Sequence, residues 1–190
     1  MKTLTTARLT LAALFFGFAA LALPGNAALK RYTPAPVVRM QTTKGMMLIK
    51  LFPKDAPITV ANFEKLVKKG FYNGLTFHRI TDLEGPEGSG LGHIVQGGDP
   101  QGNGQGGPGY IIKGEFPQNG VPNPLKHVTG AVAMARSGAP NSAGSQFYIC
   151  TSPAPHLDGG YAVFGQVIKG LDVAKKLQVG DKMTKVTMAK

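Results

Sequence analysis

The chain has no tryptophan and a single cysteine, and only 10 of its 190 residues are acidic. Cys150 cannot form an internal disulfide. Following Phe147-Tyr148-Ile149, it reads as a small buried hydrophobe with no redox or metal role. The four histidines, His78, His93, His127 and His156, show no metal-ligand spacing. Ser142 and Ser145 lack the glycine-flanked elbow of a hydrolase nucleophile. The net charge is +11, yet the lysines are scattered, with no basic block and no basic-aromatic stripe. Nucleic acid is therefore not an expected partner.

What the chain has in quantity is glycine, 26 residues, and proline, 14 residues. These favour turns and short strands over long helices. Hydrophobic residues make up 43%, enough for one real core, and the length suits a single compact domain.

Residues 1–27 read as an export signal, cleaved near Ala27 or Ala28. Lys2 and Arg8 are its positive end, Leu9 to Leu23 its apolar centre, and Pro24-Gly25 its break. The alternative is a retained anchor, but the apolar run is short for a span of about 20 residues. No cysteine follows that could carry a lipid. Residues 28–36 read as a linker and residues 37–190 as the domain.

Within the domain, Val37–Thr42 and Met46–Phe52 read as a hairpin around Thr43-Lys44-Gly45. Pro57 opens a helix whose Val60, Phe63, Leu66 and Val67 share one face, and Gly70 ends it. Further strands are expected at 75–80, 94–96, 110–112, 130–135, 145–151, 162–167 and 185–188, with a short helix at 171–178. Residues 81–92 and 97–109 read as loops, the first acidic through Asp82, Glu84 and Glu87. Many short strands with two helices imply an antiparallel barrel or sandwich. Gly102 to Gly107 contains G-x-G-x-x-G, but Pro108-Gly109 follows instead of a helix. No dinucleotide site is read there.

An arginine stands inside the apolar segment Phe77-His78-Arg79-Ile80, and a glutamine ends Ile94-Val95-Gln96 before Gly97-Gly98-Asp99. Arginine is costly to bury without a partner or a task. Three more blocks follow in order: Ala133-Met134-Ala135, Asn141-Ser142-Ala143-Gly144-Ser145-Gln146-Phe147, and Leu157-Asp158-Gly159 with Val163-Phe164-Gly165. In this order the blocks resemble the cyclophilins, which are peptidyl-prolyl cis/trans isomerases, over about Val37 to Lys190.

The resemblance implies a mainly β fold, a closed eight-stranded antiparallel barrel capped by two helices. An outer groove would bind proline-containing segments of unfolded or folding proteins. Arg79 would be the catalytic arginine, and Gln96 would contact the substrate backbone. Ile94, Tyr148 and Leu157 would form the proline pocket. Ala135 and Arg136 would line the groove and bond peptide backbone. His93, His156 and Tyr161 would complete the substrate-binding set, with His156 where relatives sensitive to cyclosporin carry a tryptophan. The stretch between Ile80 and His93 is longer than is usual in the family, so a shifted alignment would put Leu91 in place of His93.

No covalent step, metal or cofactor is called for. A monomer is expected, exported to the periplasm or secreted, with no membrane contact after cleavage. Two other readings are a proline-binding module without catalysis and a surface protein acting through its positive charge. The presence of Arg79 argues against the first; only a basic patch beside the groove would support the second.

Overall fold

A computed structural model describes residues 34–82 and 92–189. The expected export segment and most of the acidic 81–92 loop lie outside the described residues. Eight strands form one antiparallel sheet: β1 (Val37–Thr42), β2 (Gly45–Leu51), β3 (Phe77–Asp82), β4 (His93–Gly97), β5 (Ala131–Met134), β6 (Phe147–Cys150), β7 (Val163–Lys169) and β8 (Met183–Met188). Their order across the sheet is β3-β4-β6-β5-β7-β2-β1-β8.

The sheet is an open half-barrel, which corrects the expected closed barrel. Its two edge strands meet at one isolated bridge, Thr76 opposite Lys182. Beside that bridge, Met183 N–H donates to the Leu75 carbonyl at 2.9 Å and Phe77 N–H to that of Asp181 at 2.9 Å. The reason lies in the register. Continuing the antiparallel bridge along β3 brings its later residues against the segment just before Lys182. By that register Phe77–Asp82 would face residues 176–181, which form the turns after helix α2 (Leu171–Ala174) rather than a strand, so no ladder forms. The helix expected over 171–178 is accordingly only its first part. The strand expected at Tyr110–Ile112 is reduced to an isolated bridge between Ile112 and Ala143. Thr81 and Asp82, read as loop, extend β3.

Helix α1 (Pro57–Lys68) buries Val60, Phe63, Leu66 and Val67 as its spacing implies. Phe63 is fully buried and packs at 5.0 Å from both the Tyr72 and Phe164 rings. Ala56 supplies no side-chain cap for the helix. The first amides are satisfied instead by buried Glu115, whose carboxylate accepts from Ile58 N–H at 2.9 Å and Thr59 N–H at 2.7 Å. This meets the need of helix N-termini for acceptors and negative charge. Gly70, at φ +70°, closes the other end in a left-handed conformation.

Two apolar clusters result. The main one lies on the α1 side of the sheet and includes Val95, Val132, Met134, Phe147 and Ile149. A smaller one takes the alternate residues, Ile94, Ala131, Ala133, Tyr148 and Cys150, on the other face. Period-two alternation along β4, β5 and β6 makes this division.

Candidate active site

The site grows out of the smaller cluster. Arg79 stands opposite Gln96 on β4, Gln96 opposite Tyr148 on β6, and Tyr148 opposite Ala133 on β5. One row of residues thus crosses four strands on the outer face. A β-bulge makes it possible: Phe77 pairs with Gly97, but Arg79 pairs with Gln96, so His78 is the extra residue. Plain alternation would put Arg79 on the same side as Phe77, which is fully buried in the core. The extra residue reverses the parity and turns Arg79 outward. Both ring nitrogens of His78 are buried there without a hydrogen-bond partner. Burial holds its imidazole below the ordinary histidine range, Asp99 acting in the opposite sense.

A groove of about 200 Å³ opens over this row. Arg79 and Gln96 stand on its polar side. Ile94, Tyr148 and Leu157 form its apolar lining, with Ala135, Arg136 and Tyr161 beside them. His93 and His156 do not line it. His93 shares the face of core residue Val95 by alternation, and its Nδ1 lies 2.6 Å from Thr151 Oγ1. His156 is exposed on the 3₁₀ turn Pro155–Leu157, where the following Leu157 takes the groove side.

Arg79 is exposed, and among the described residues its hydrogen-bond partner is Gln96, whose Oε1 accepts from Nη1 at 3.1 Å. Gln96 Nε2 donates to Gln146 Oε1 at 3.0 Å, and Gln146 Nε2 to the Gly104 and Gly106 carbonyls at 2.9 Å each. The guanidinium is therefore oriented through two amides by the glycine-rich loop. That loop wraps the buried Asp99 carboxylate, which accepts from Gln101 N–H at 2.8 Å and Asn103 N–H at 3.0 Å. Burial alone would raise the Asp99 pKa, but these amides together with those of Gly104 and Gly106 hold it below the usual carboxylate range. Gly98 is required at the strand end. Its φ is +87°, and a Cβ there would lie 2.5 Å from the Ser145 carbonyl oxygen.

Arg136 walls the groove from a second cavity of about 690 Å³. Its guanidinium carbon lies 4.6 Å from the Tyr161 ring centre and 5.1 Å from that of Phe116. Its Nε donates to the Gly160 carbonyl at 3.0 Å, so the side chain braces the walls. Sequence reasoning missed Gln146 as a positioning group, although it lay inside a recognised block. It also missed His127 and Asp158 beneath the groove, because their partners are 21 and 31 residues away and no spacing rule joins them.

The family model "Cyclophilin type peptidyl-prolyl cis-trans isomerase/CLD" matches residues 37–190, the whole of the sheet and groove. The chain belongs to the cyclophilin family of peptidyl-prolyl cis-trans isomerases. Peptidyl-prolyl cis-trans isomerase B of Bacillus subtilis is 48% identical to this cyclophilin over 136 residues, 72% of this chain and 85% of the relative. A Helicobacter pylori peptidyl-prolyl cis-trans isomerase is 44% identical over 144 residues, 75% of this chain and 80% of its own. Among solved structures, a Cryptosporidium parvum cyclophilin superposes with a TM-score of 0.70 at 29% identity, covering 82% of this chain and 98% of that one. A second structure of that protein, determined in the presence of the dipeptide Ala-Pro, gives 0.68 at 29% identity, covering 81% and 99%.

Proposed function

We propose that Arg79 accelerates isomerisation by donating a hydrogen bond to the prolyl nitrogen of an Xaa-Pro bond as that bond twists. The supporting observation is the register row: a guanidinium oriented by Gln96 stands on the same groove as the apolar Ile94, Tyr148 and Leu157. Rotation about a peptide bond faces a barrier of roughly 18–20 kcal/mol, set by amide resonance. Twisting removes that resonance and leaves a lone pair on nitrogen that the planar amide does not offer. A donor aimed at that lone pair binds the transition state in preference to the ground state. Arginine suits the task because it remains charged at any working pH and holds its donors in a rigid fork. The twisted amide is less polar than the planar one, so the apolar lining favours it too. In this reading the proline ring lies against Ile94, Tyr148 and Leu157, and the backbone of Ala135 and Arg136 bonds the preceding residues.

The test is a proline-isomerisation assay on an Ala-Pro peptide. Arg79→Ala should lower kcat/KM by roughly 10²–10³, the loss typical of one strong electrostatic donor. Peptide affinity should fall far less, and Arg79→Lys should rescue only in part. Wild-type turnover by a folded Arg79→Ala protein would refute the role.

We further propose that the enzyme assists folding of exported proteins in the periplasm. The features supporting this are Lys2 and Arg8, the apolar Leu9–Leu23 and the small residues ending at Ala27. N-terminal sequencing of the protein recovered from its own cell envelope should begin at Ala28 or Leu29. Recovery of the intact chain from the cytoplasm would exclude export.

A further inference from the structure

Directly beneath the groove lies a hydrogen-bonded chain that the isomerase mechanism does not use. Tyr148 lines the groove and is 3% exposed, so its hydroxyl has to be satisfied inside the protein. The partner is His127, 2% exposed, whose Nε2 lies 2.9 Å from Tyr148 Oη. His127 Nδ1 lies 2.9 Å from Asp158 Oδ1, which also accepts the His127 backbone N–H at 2.8 Å. An ionised carboxylate only accepts, so Nδ1 carries the ring proton, Nε2 is left as an acceptor, and the Tyr148 hydroxyl donates to it.

We propose that His127 is a positioning residue of this isomerase: its neutral ring, oriented by Asp158, holds the Tyr148 ring in place as a wall of the proline pocket. Protonation of His127 turns Nε2 into a donor. The bond then reverses, Nε2–H donating to Tyr148 Oη, and the Tyr148 proton is left without an acceptor in a buried place, which weakens the hold on the ring. Among the described residues, the other groups around the pair offer Tyr148 Oη no second acceptor within hydrogen-bond distance. They are Lys126, 3.5 Å from the Asp158 carboxylate, exposed His156, the Cys150 thiol on β6, the Tyr161 ring edge-on to both aromatics, and Arg136 over Tyr161. Burial holds the His127 pKa below the ordinary histidine range, against the opposing pull of Asp158, so the neutral ring is the resting form near neutrality.

Because the pocket grips the ground state, the effect falls on KM. With a peptide free of titratable groups, lowering pH from about 7.5 to about 5 should raise wild-type KM at least about threefold and change kcat less. Tyr148→Phe removes the only proton that needs the acceptor, and His127→Gln keeps an acceptor that does not titrate. Both should show a KM nearly independent of pH over this range, whatever its absolute value. Wild-type behaviour confined to kcat, or an acid rise in KM that persists in Tyr148→Phe, overturns the proposal. If His127→Gln does not fold, the Tyr148→Phe profile decides alone, with circular dichroism at each pH confirming that both proteins remain folded.

Discussion

Among the described residues Arg79 is held by one side chain, Gln96, which is held in turn by Gln146. The guanidinium is otherwise open to solvent, so its precision depends on that amide relay. Gln96→Ala should leave Arg79 charged and present but free to sample rotamers. A loss of about tenfold in kcat/KM is expected, carried mostly by kcat, because misplacement costs rate before it costs binding. An unchanged kcat in steady-state kinetics would show that Arg79 needs no guide. His156 is a second residue-scale case. It is exposed beside Leu157, at the position where the family resemblance implies a tryptophan. His156→Trp should bind cyclosporin more tightly by adding an indole donor and apolar surface at the groove edge. Calorimetric titration reads this directly, and no gain would remove His156 from the groove rim.

At the scale of elements, the bulge in β3 matters most. Deleting His78 makes Arg79 the direct neighbour of Phe77, so alternation keeps Arg79 outward and opposite Gln96 while the bulge and its two unpartnered ring nitrogens are lost. The deletion should therefore leave unfolding cooperative in a denaturant melt followed by circular dichroism, and lower kcat/KM through the lost local twist that aims Arg79. Loss of cooperative unfolding would show that the strand needs the extra residue to fold. The start of α1 offers a milder test. Glu115→Ala leaves two helix amides and the Thr59 hydroxyl without their acceptor, at 2.9, 2.7 and 2.7 Å in the intact protein. Stability should fall by about 2–4 kcal/mol, since two or more charge-assisted bonds go together, and the midpoint of urea unfolding measures it. Activity of the remaining folded fraction should persist, because Glu115 is not among the residues lining the 200 Å³ groove.

For the whole molecule, pH links several sites. Burial depresses the pKa of both His78 and His127 in the folded state. The unfolded chain then binds protons more readily, beginning near the ordinary histidine value of about 6.5. Stability contributed by the neutral rings is therefore present above that value. It is lost as pH falls from there toward the folded-state values. Asp99, Asp158 and Asp181 are also depressed, and their contribution disappears only in the acidic range below about 4. Urea unfolding should give a lower midpoint at about pH 5.5 than at about pH 7.5, followed by a steeper decline below about pH 4. His127→Gln should flatten the first decline and leave the second. A midpoint constant between about pH 7.5 and 5.5 would mean that neither histidine differs from its unfolded form.

The sequence by itself determined which residues could serve, because local chemistry suffices for that. Alternation and turn residues located most strands, proline and helical spacing located α1, and five ordered blocks carried the groove residues. It also carried Glu115, His127 and Asp158 without marking their pairing, since their bonds reach across 57, 21 and 31 positions. The tertiary structure decided which face each residue takes. It turned Arg79 outward by one unpaired residue and replaced an expected barrel closure with an open edge where the turns after α2 stand opposite β3. Neither His93 nor His156 is among the residues that line the 200 Å³ groove. Those outcomes depend on register between strands distant in sequence, and register is fixed only when the core packs and the long-range hydrogen bonds find their partners.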